Sequence, residues 1–360
     1  MINKTFKNKK VIVTGHTGFK GSWLTAWLVT LGAKVIGISK SIPTKPSHFE
    51  KLKLKDKIEH HEIDIRDLNK LKRILNLKKP DFVFHLAAQA LVKESYNNPT
   101  YTIETNTIGT MNVLESLRLM KSKKVCTAVI ITSDKVYKNL EIKRGYTEKD
   151  ILGGKDTYSS SKASAEILIS SYINSFFPRK KTNVLIGIAR AGNVIGGGDW
   201  SKNRLIPDCI KSWSKNKKVL LRNPKSTRPW QHVLEALWGY LLLANKLNKT
   251  KKFHGESFNF GPDYYSSHNV LKVVKKMKEH WGNISWKVKK SSKDKFFESN
   301  LLKLNSSKAK KILGWKCKMN LSLTLKMVTE WYKYFYTNNE KNASMTYKQI
   351  QEYQEILQKK

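Results

Sequence analysis

The sequence predicts an α/β fold in which a doubly wound parallel sheet is joined to a smaller mixed lobe. Three observations lead to this prediction: short apolar runs alternate with segments of helical period, a glycine-rich turn follows the first run, and this rhythm ends near residue 190. Such alternation is typical of βαβ units, whose helices cover both faces of a parallel sheet. Cores stop growing at about 250 to 300 residues, so a chain of 360 residues is expected to divide.

The elements of the first half are predicted from their hydrophobic periodicity. Buried strands are predicted at residues 11–13, 35–38, 82–86, 129–131 and 184–188. Helices are predicted at residues 23–31, 68–75, 106–120 and 160–176.

Charge and cysteine content argue against several classes of protein. The formal net charge is +40, but only 9 of the 68 basic residues are arginine and the lysines are scattered, which favours a solvated surface over a nucleic-acid interface. Three widely spaced cysteines indicate neither a disulfide framework nor a metal site, and a reducing cytoplasm is expected. No apolar run approaches the ~20 residues that cross a bilayer, so no membrane partner is expected.

A glycine-rich turn lies between the first predicted strand and the first predicted helix. Its spacing is G-x-x-G-x-x-G, which lets the backbone approach a pyrophosphate at the amino terminus of a helix. The sequence therefore predicts a Rossmann-type dinucleotide site that includes Gly15, Thr17, Gly18, Phe19, Lys20 and Gly21. The bulky His16 within this loop is expected to influence how tightly the dinucleotide is held.

The ends of later strands supply further predicted cofactor contacts. Asp64 is predicted to end the third strand and to contact adenine, although one of Asp64 and Asp67 is also suited to cap the next helix. Small residues close the fourth strand, in the run Leu86, Ala87, Ala88 and Gln89. The second strand ends without the carboxylate that usually binds the NAD ribose, and Lys40 would suit a 2′-phosphate, so the residues alone leave NAD and NADP open.

Tyr158 and Lys162 are one helical turn apart, which places both side chains on one face. An ammonium there can stabilise a phenolate, and a phenolate can serve as the base that hydride transfer from an alcohol requires. Four polar residues, at positions 132–135, follow the strand at residues 129–131 and so emerge at the carboxyl edge of the sheet. The sequence therefore predicts a redox enzyme with catalytic residues Ser133, Asp134, Lys135, Tyr158 and Lys162.

These motifs resemble those of the extended short-chain dehydrogenase/reductase family. The matching stretches occur along the chain in the order typical of the family. They are TGHTGFKGSW, FHLAAQALV, TSDKVY, YSSSK, ARAGNVIGGGDW, RLIPD and RPWQHV, and LGW is a weaker match nearer the end. The glycine loop and GNVIGGGDW are similar to those of nucleotide-sugar 4,6-dehydratases within that family. The resemblance implies NAD as the cofactor, contacted also by Ile65 and Asn106, and a nucleotide sugar as the substrate.

The resemblance implies an internal redox cycle. Tyr158, aided by Lys162 and Ser133, would take the proton of the sugar 4-hydroxyl as hydride passes to NAD. Asp134 would protonate the departing 6-hydroxyl before hydride returns to carbon 6. Related dTDP-glucose dehydratases carry glutamate in place of Lys135, which is either the base for the 5-hydrogen or an electrostatic stabiliser of the enolate. An epimerase, a decarboxylase or a dehydratase of another nucleotide sugar is the alternative.

Arginine is scarce in this chain, and its planar fork suits phosphate oxygens. The resemblance implies that the diphosphate and nucleotide lie near Asn193, Arg204, Arg222 and Arg228, with surface ion pairing as the alternative for each arginine. His232 is equally suited to contacting the ligand and to packing. No metal site is expected, because His60 and His61 lack partners at suitable spacing and fit a strand surface better.

The predicted organisation has three parts. Residues 1–190 are predicted to form the dinucleotide-binding domain and residues 191–337 the nucleotide-sugar-binding lobe, with segments such as 231–262 as candidates for packing back on the first domain. Residues 338–360 form a polar tail that is helical or frayed. The resemblance also implies a homodimer or homotetramer formed through the two helices at residues 106–120 and 160–176.

Overall fold

The computed structural model describes residues 2–262, 267–288, 301–338 and 344–359. The strands are β1 (Lys10–Thr14), β2 (Lys34–Ser39), β3 (Glu59–Glu62), β4 (Phe82–His85), β5 (Cys126–Ile131), β6 (Val184–Ala191), β7 (Val194–Ile195), β8 (Val219–Leu221), β9 (Thr227–Pro229), β10 (Gln231–His232), β11 (Ser257–Phe260), β12 (Ser267–Asn269) and β13 (Trp286–Val288).

The α-helices are α1 (Asn3–Phe6), α2 (Phe19–Thr30), α3 (His48–Lys51), α4 (Leu68–Lys78), α5 (Val92–Asn97), α6 (Pro99–Ile103), α7 (Gly109–Arg118), α8 (Thr157–Phe176), α9 (Leu205–Trp213), α10 (Val233–Lys249), α11 (Val270–Trp281), α12 (Ser307–Leu313), α13 (Leu321–Thr337) and α14 (Met345–Gln358). A π-helical turn, Glu104–Ile108, joins α6 to α7. Short 3₁₀ turns span Leu54–Asp56, Asp134–Val136 and Lys251–Phe253.

The central sheet has seven parallel strands in the order β11-β6-β5-β4-β1-β2-β3. Apolar side chains alternate between its faces, so that Val11 and Val13 join one core cluster and Ile12 joins the other. Helices α2 and α10 lie on the first face and α4, α7 and α8 on the second. The predicted doubly wound, Rossmann-type α/β fold is confirmed.

The third strand differs from its prediction. Strand β3 has the sequence EHHE and lies at the edge of the sheet, where a polar strand is tolerated and no apolar run marks it. It ends at Glu62, so Asp64 lies two residues beyond the strand instead of at its end. His60 was expected on the strand surface, but its side chain is only 11% exposed.

Where the structure describes the second lobe, β7 pairs with β10, β9 with β12 and β8 with β13. The chain between residues 231 and 262 returns to the first domain: α10 packs against β5 and β6, and β11 becomes the edge strand next to β6. The carboxyl ends of β1, β4, β5 and β6 lie at one edge of the sheet, where open α/β sheets bind their ligands; this region is here called the cleft.

The tail is a packed helix in the region that the structure describes. Helix α14 contacts α2 and α13, and Thr346, Gln349 and Tyr353 are fully buried. The Tyr353 hydroxyl donates a hydrogen bond of 2.7 Å to Glu235 of α10. In the described ranges, none of the helices combines the length and the apolar character needed to span a membrane.

Candidate active site

The glycine loop connects β1 to α2 and has the tight geometry of a dinucleotide site. Gly15 has a φ of +75°, and a Cβ there would lie 2.7 Å from the backbone nitrogen of Ala87. A Cβ at Gly21 would overlap the carbonyl oxygen of Gly15. Gly18, at the N-cap, has no side chain to cap the helix, so the N–H groups of the first turn of α2 are suited to a pyrophosphate. These residues fit a dinucleotide.

The end of β4 packs closely against this loop. The N–H of Leu86 donates to the Thr14 carbonyl at 3.1 Å, and the N–H of Ala87 donates to the Thr14 hydroxyl at 3.2 Å. Asn106 accepts a hydrogen bond from the N–H of Gln89 at 2.8 Å and donates to the hydroxyl of Ser161 at 2.9 Å. Asn106 thus links the end of β4 to the helix that carries Tyr158 and Lys162.

Charged residues cluster at the opposite end of the predicted dinucleotide site. Arg66 donates to Asp64 through Nη2 at 2.8 Å and to Glu104 through Nη1 at 2.8 Å. Lys40 lies 3.9 Å from Asp64 and over the ring of Tyr101. Asp67 caps α4, leaving Asp64 and Ile65 between strand and helix.

His16 lies beneath the glycine loop and is fully buried. Its Nδ1 is 3.1 Å from the Ser39 hydroxyl, and its Nε2 is 2.7 Å from Nδ1 of His60. Burial, reinforced by the neighbouring His60, lowers the pKa of His16 to about 4. The imidazole is therefore neutral at neutral pH and supports the loop from the side of β2 and β3. Thr17 donates to the Ser41 carbonyl at 2.7 Å.

The structure brings Ser133, Asp134 and Tyr158 together at the end of β5. The Ser133 hydroxyl donates to Asp134 at 3.0 Å and is hydrogen-bonded to the phenol of Tyr158. All three side chains are at least nine-tenths buried. A Cβ at Gly192 would lie 2.9 Å from the Asp134 carboxylate, so glycine makes room for this side chain. Lys135 follows on the same 3₁₀ turn and is half-buried.

Burial sets the proton affinity of the two acidic groups. It raises the pKa of Asp134, while Lys135, the Ser133 hydrogen bond, Arg228 and Lys20 act in the opposite direction. Burial also raises the pKa of Tyr158, against the Ser133 hydrogen bond and the charge of Arg204. Both side chains therefore hold their protons more firmly than exposed residues do.

Two lysines meet in the same cleft. Burial and the charge of Lys20 lower the pKa of Lys162 to about 8, although Glu166 partly opposes this. Burial and the charge of Arg204 lower the pKa of Lys20 to about 8. Lys20 was predicted as a cofactor contact of the glycine loop, and the structure places its charge near Asp134, Arg204 and Lys162 as well. An anionic ligand would relieve this repulsion.

A buried ion pair, which the sequence reasoning missed, lies behind the catalytic helix. Glu166 follows Lys162 by one turn, accepts a hydrogen bond from Thr132 at 2.6 Å and pairs with Arg190. Arg190 also donates to Tyr137 at 2.7 Å. The spacing of residues 158, 162 and 166 was the available signal, since it puts three polar side chains on one helix face.

The second-lobe residues occupy different positions. The charge of Arg204 acts on Lys20 and Tyr158 and that of Arg228 acts on Asp134, so both arginines lie within electrostatic range of the catalytic group. Arg222 lies at the exposed rim, 3.9 Å from Asp208. Asn193 is half-buried beside Gly192. His232 is fully buried at the N-cap of α10 against Trp23, so the structure does not bring it to the cleft.

Together the seven-stranded sheet, the glycine loop and the Ser133–Tyr158–Lys162 group define a Rossmann-type enzyme of the extended short-chain dehydrogenase/reductase class. Comparison with known proteins then gives the particular family. The family described as GDP-mannose 4,6 dehydratase matches residues 12–328, and the chain belongs to it. The resemblance inferred from the motifs is confirmed.

Individual relatives agree with this assignment. The chain is 46% identical over 338 residues to a CDP-glucose 4,6-dehydratase of Salmonella typhimurium, covering 92% of this chain and 93% of the relative. It is 25% identical to a dTDP-glucose 4,6-dehydratase of Haemophilus influenzae, covering 89% and 97%. The solved dTDP-glucose 4,6-dehydratase of Streptomyces venezuelae superposes with a TM-score of 0.77 at 20% identity, covering 90% and 97%, which supports the fold.

Proposed function

We propose that this protein is a CDP-glucose 4,6-dehydratase, which converts CDP-glucose to CDP-4-keto-6-deoxyglucose for deoxysugar synthesis of the O-antigen type. The observation that carries the proposal is the 46% identity to the Salmonella enzyme along nearly the whole of both chains. Relatives named for dTDP-glucose or UDP-glucose are 23% to 29% identical. This difference favours a cytidine nucleotide over the alternatives.

NAD is the proposed cofactor, held by the glycine loop, the end of β4 and the Asp64 region. Bound there, it would supply an acceptor for hydride from carbon 4 of the sugar and a donor for its return to carbon 6. Lys40, the cation that would suit a 2′-phosphate, is already close to Asp64 and Tyr101, which supports NAD over NADP. The Streptomyces venezuelae structure contains NAD.

Tyr158 is the proposed base toward the sugar 4-hydroxyl. Its phenol is protonated at rest because burial raises its pKa. The Ser133 hydroxyl and the charge of Arg204 favour the phenolate, and the ammonium of Lys162 lies one turn along the same helix. Ser133 thus supports the ionised form of the phenol that removal of the substrate proton requires.

Asp134 is the proposed acid that protonates the departing 6-hydroxyl. Burial raises its pKa, so Asp134 holds a proton more readily than a fully exposed aspartate does. Lys135 is adjacent on the 3₁₀ turn and acts either as the base for the 5-hydrogen or as a positive charge beside the enolate. Loss of solvent deuterium incorporation at carbon 5 in Lys135→Ala would favour the base, and unchanged incorporation with slower turnover would favour the electrostatic role.

The proposal is tested by incubating the purified protein with CDP-glucose, dTDP-glucose and GDP-mannose and following the alkaline absorbance of a 4-keto sugar. Product is expected from CDP-glucose. Formation from GDP-mannose alone would overturn the substrate assignment. Tyr158→Phe should lower kcat by about 10²- to 10⁴-fold, as loss of a general base does. Tyr172→Phe on the same helix is the matched control, since Tyr172 reaches Glu115 and not the cleft.

We also propose a homodimer or homotetramer located in the cytoplasm. Ile167 and Phe176 of α8 are 60% and 49% exposed, and Ile108 before α7 is 40% exposed. Apolar exposure on this pair of helices supports their use as an interface. Light scattering in solution tests it, and a monomer at micromolar concentration would contradict it.

A further inference from the structure

Residues 196–204, here called the Asp199 loop, connect β7 to α9 and end at Arg204. The Nη1 of Arg204 donates to Oδ2 of Asp199 at 3.0 Å. The Asp199 side chain is 5% exposed, whereas that of Arg204 is 35% exposed. Arg204 therefore keeps part of its guanidinium open while its partner is enclosed.

Arg204 lies within electrostatic range of other cations. Its charge acts on Lys20, and the charge of Lys20 acts on Lys162, so three cations share the cleft. Repulsion among them would drive a long, flexible side chain such as Arg204 into solvent. The Asp199 carboxylate offsets this repulsion for Arg204 and fixes the direction of the guanidinium plane.

Asp199 is itself fixed by residues far along the chain. Its Oδ1 accepts the N–H of Ser201 at 3.0 Å, its own N–H donates to the Tyr332 hydroxyl at 3.0 Å, and that hydroxyl donates to its carbonyl at 2.5 Å. The next residue, Trp200, is buried against Trp331 and Phe335 of α13. The aromatic face of α13 thus determines where the Asp199 carboxylate lies.

A guanidinium has five N–H donors, and Asp199 is bonded to only one Arg204 nitrogen. The remaining edge is suited to a bidentate contact with phosphate oxygens. Within the proposed function, the diphosphate of the nucleotide sugar is the anion that must enter this cationic cleft.

We propose that Asp199 is a positioning residue that orients Arg204 toward the substrate diphosphate, an inference that rests on the proposed function. Asp199 does not touch the substrate. It affects substrate binding by orienting Arg204, and α13 contributes by fixing the position of Asp199.

The test is a double-mutant cycle with Asp199→Asn, Arg204→Gln and the double variant. Loss of a charged hydrogen bond is expected to raise the KM for the nucleotide sugar about 10- to 100-fold in each single variant. Asp199→Asn keeps the Arg204 charge and should change KM more than kcat, whereas Arg204→Gln should lower kcat as well, because the charge of Arg204 favours the phenolate of Tyr158. The double variant should be no weaker than Arg204→Gln, since the two residues act as a unit.

Binding measurements in the absence of turnover distinguish a lost orientation of Arg204 from a general destabilisation of the fold. Titration calorimetry should show weaker CDP binding in Asp199→Asn, with cytidine binding unchanged, because cytidine has no diphosphate. Additive KM effects, or an equal loss of cytidine affinity, would overturn the proposal. Tyr332→Phe is the structural control: it should lower the melting temperature while raising KM less than Asp199→Asn does.

Should Asp199→Asn fail to fold, Asp199→Glu keeps the charge and displaces the guanidinium, and an unchanged KM there would contradict the proposal. Should the wild type be inactive on CDP-glucose, the proposed function fails, and the cycle is run with the nucleoside diphosphate that the wild type binds.

Discussion

The two glycine-rich loops of this molecule use glycine for different physical reasons. In the loop after β1, side chains at Gly15 and Gly21 would collide with backbone atoms. In the Asp199 loop, a side chain at Gly197 would collide with the ring of Trp331 and one at Gly198 with the ring of His48. The first loop is compact so that backbone N–H groups face a ligand, and the second is compact so that aromatic rings can cover it.

This difference shows that glycine spacing alone does not indicate a ligand. The first loop lies between a buried strand and a helix amino terminus, which is the context that makes a phosphate site. The second loop also leads into a helix, α9, but its glycines make room for the rings of Trp331 and His48, and its contribution to the site is indirect, through the pairing of Asp199 with Arg204.

The largest expected effect, on NAD binding and turnover, follows from a substitution in the glycine loop after β1. In Gly21→Ala the added methyl group would overlap the Gly15 carbonyl, and neither backbone segment can give way. We expect loss of detectable NAD binding and turnover, together with destabilisation of about 3 kcal/mol. Fluorescence titration with NAD and urea unfolding measure the two effects.

Gly18→Ala is the control for that experiment. Its nearest neighbour would be the Gly15 carbonyl oxygen at 3.3 Å, and Gly18 has a negative φ, so folding should be nearly unaffected. Equal destabilisation by the two variants would contradict the steric account of Gly21.

A steric clash in the Asp199 loop should destabilise the protein, and a second substitution should partly relieve that clash. Gly197→Ala places a methyl group within the Trp331 ring and is expected to cost about 1 to 3 kcal/mol in unfolding free energy. Adding Trp331→Leu should recover part of this loss relative to Trp331→Leu alone, because the obstructing ring is gone. Urea unfolding of all three variants tests the coupling, and purely additive losses would refute it.

The sequence was sufficient to predict the first loop and much of the sheet but little of the second lobe's architecture. Hydrophobic runs such as that of β5 and the spacing of Tyr158 and Lys162 are local signals. The Asp199–Arg204 pair could have been suspected, yet its support by Tyr332 depends on residues 133 positions apart. The same holds for Glu166 with Arg190, whose pairing depends on how α8 lies against β6.

Acid sensitivity has the smallest effect at neutral pH and should be shared by both loops. His16 lies under the first loop with a pKa lowered to about 4, and His48 lies under the second with a pKa lowered by burial to about 3. In the unfolded chain both histidines have a pKa near 6.5, so the unfolded chain binds protons at a higher pH than the folded protein does. The free energy of unfolding should have its full value above about pH 6.5. Below that pH it should decrease by about 1.4 kcal/mol per pH unit for each histidine.

Removing one histidine isolates its share of this pH dependence. His48→Gln should reduce the pH dependence of unfolding between pH 6 and 4 by about one proton. Urea unfolding at several pH values gives this number. An unchanged slope would mean that His48 is not neutral in the folded protein.

Helix α14 has a consequence for the order of folding. Its Thr346 is 2.8 Å from Nε2 of His48, a residue made 298 positions earlier, and its Tyr353 packs on Trp27. During synthesis these early side chains leave the ribosome long before their partners exist. Packing of the dinucleotide-binding half therefore stays incomplete until residues 345–358 have been synthesised. A chain truncated before these residues would expose the aromatic side chains that α14 covers to chaperones and proteases.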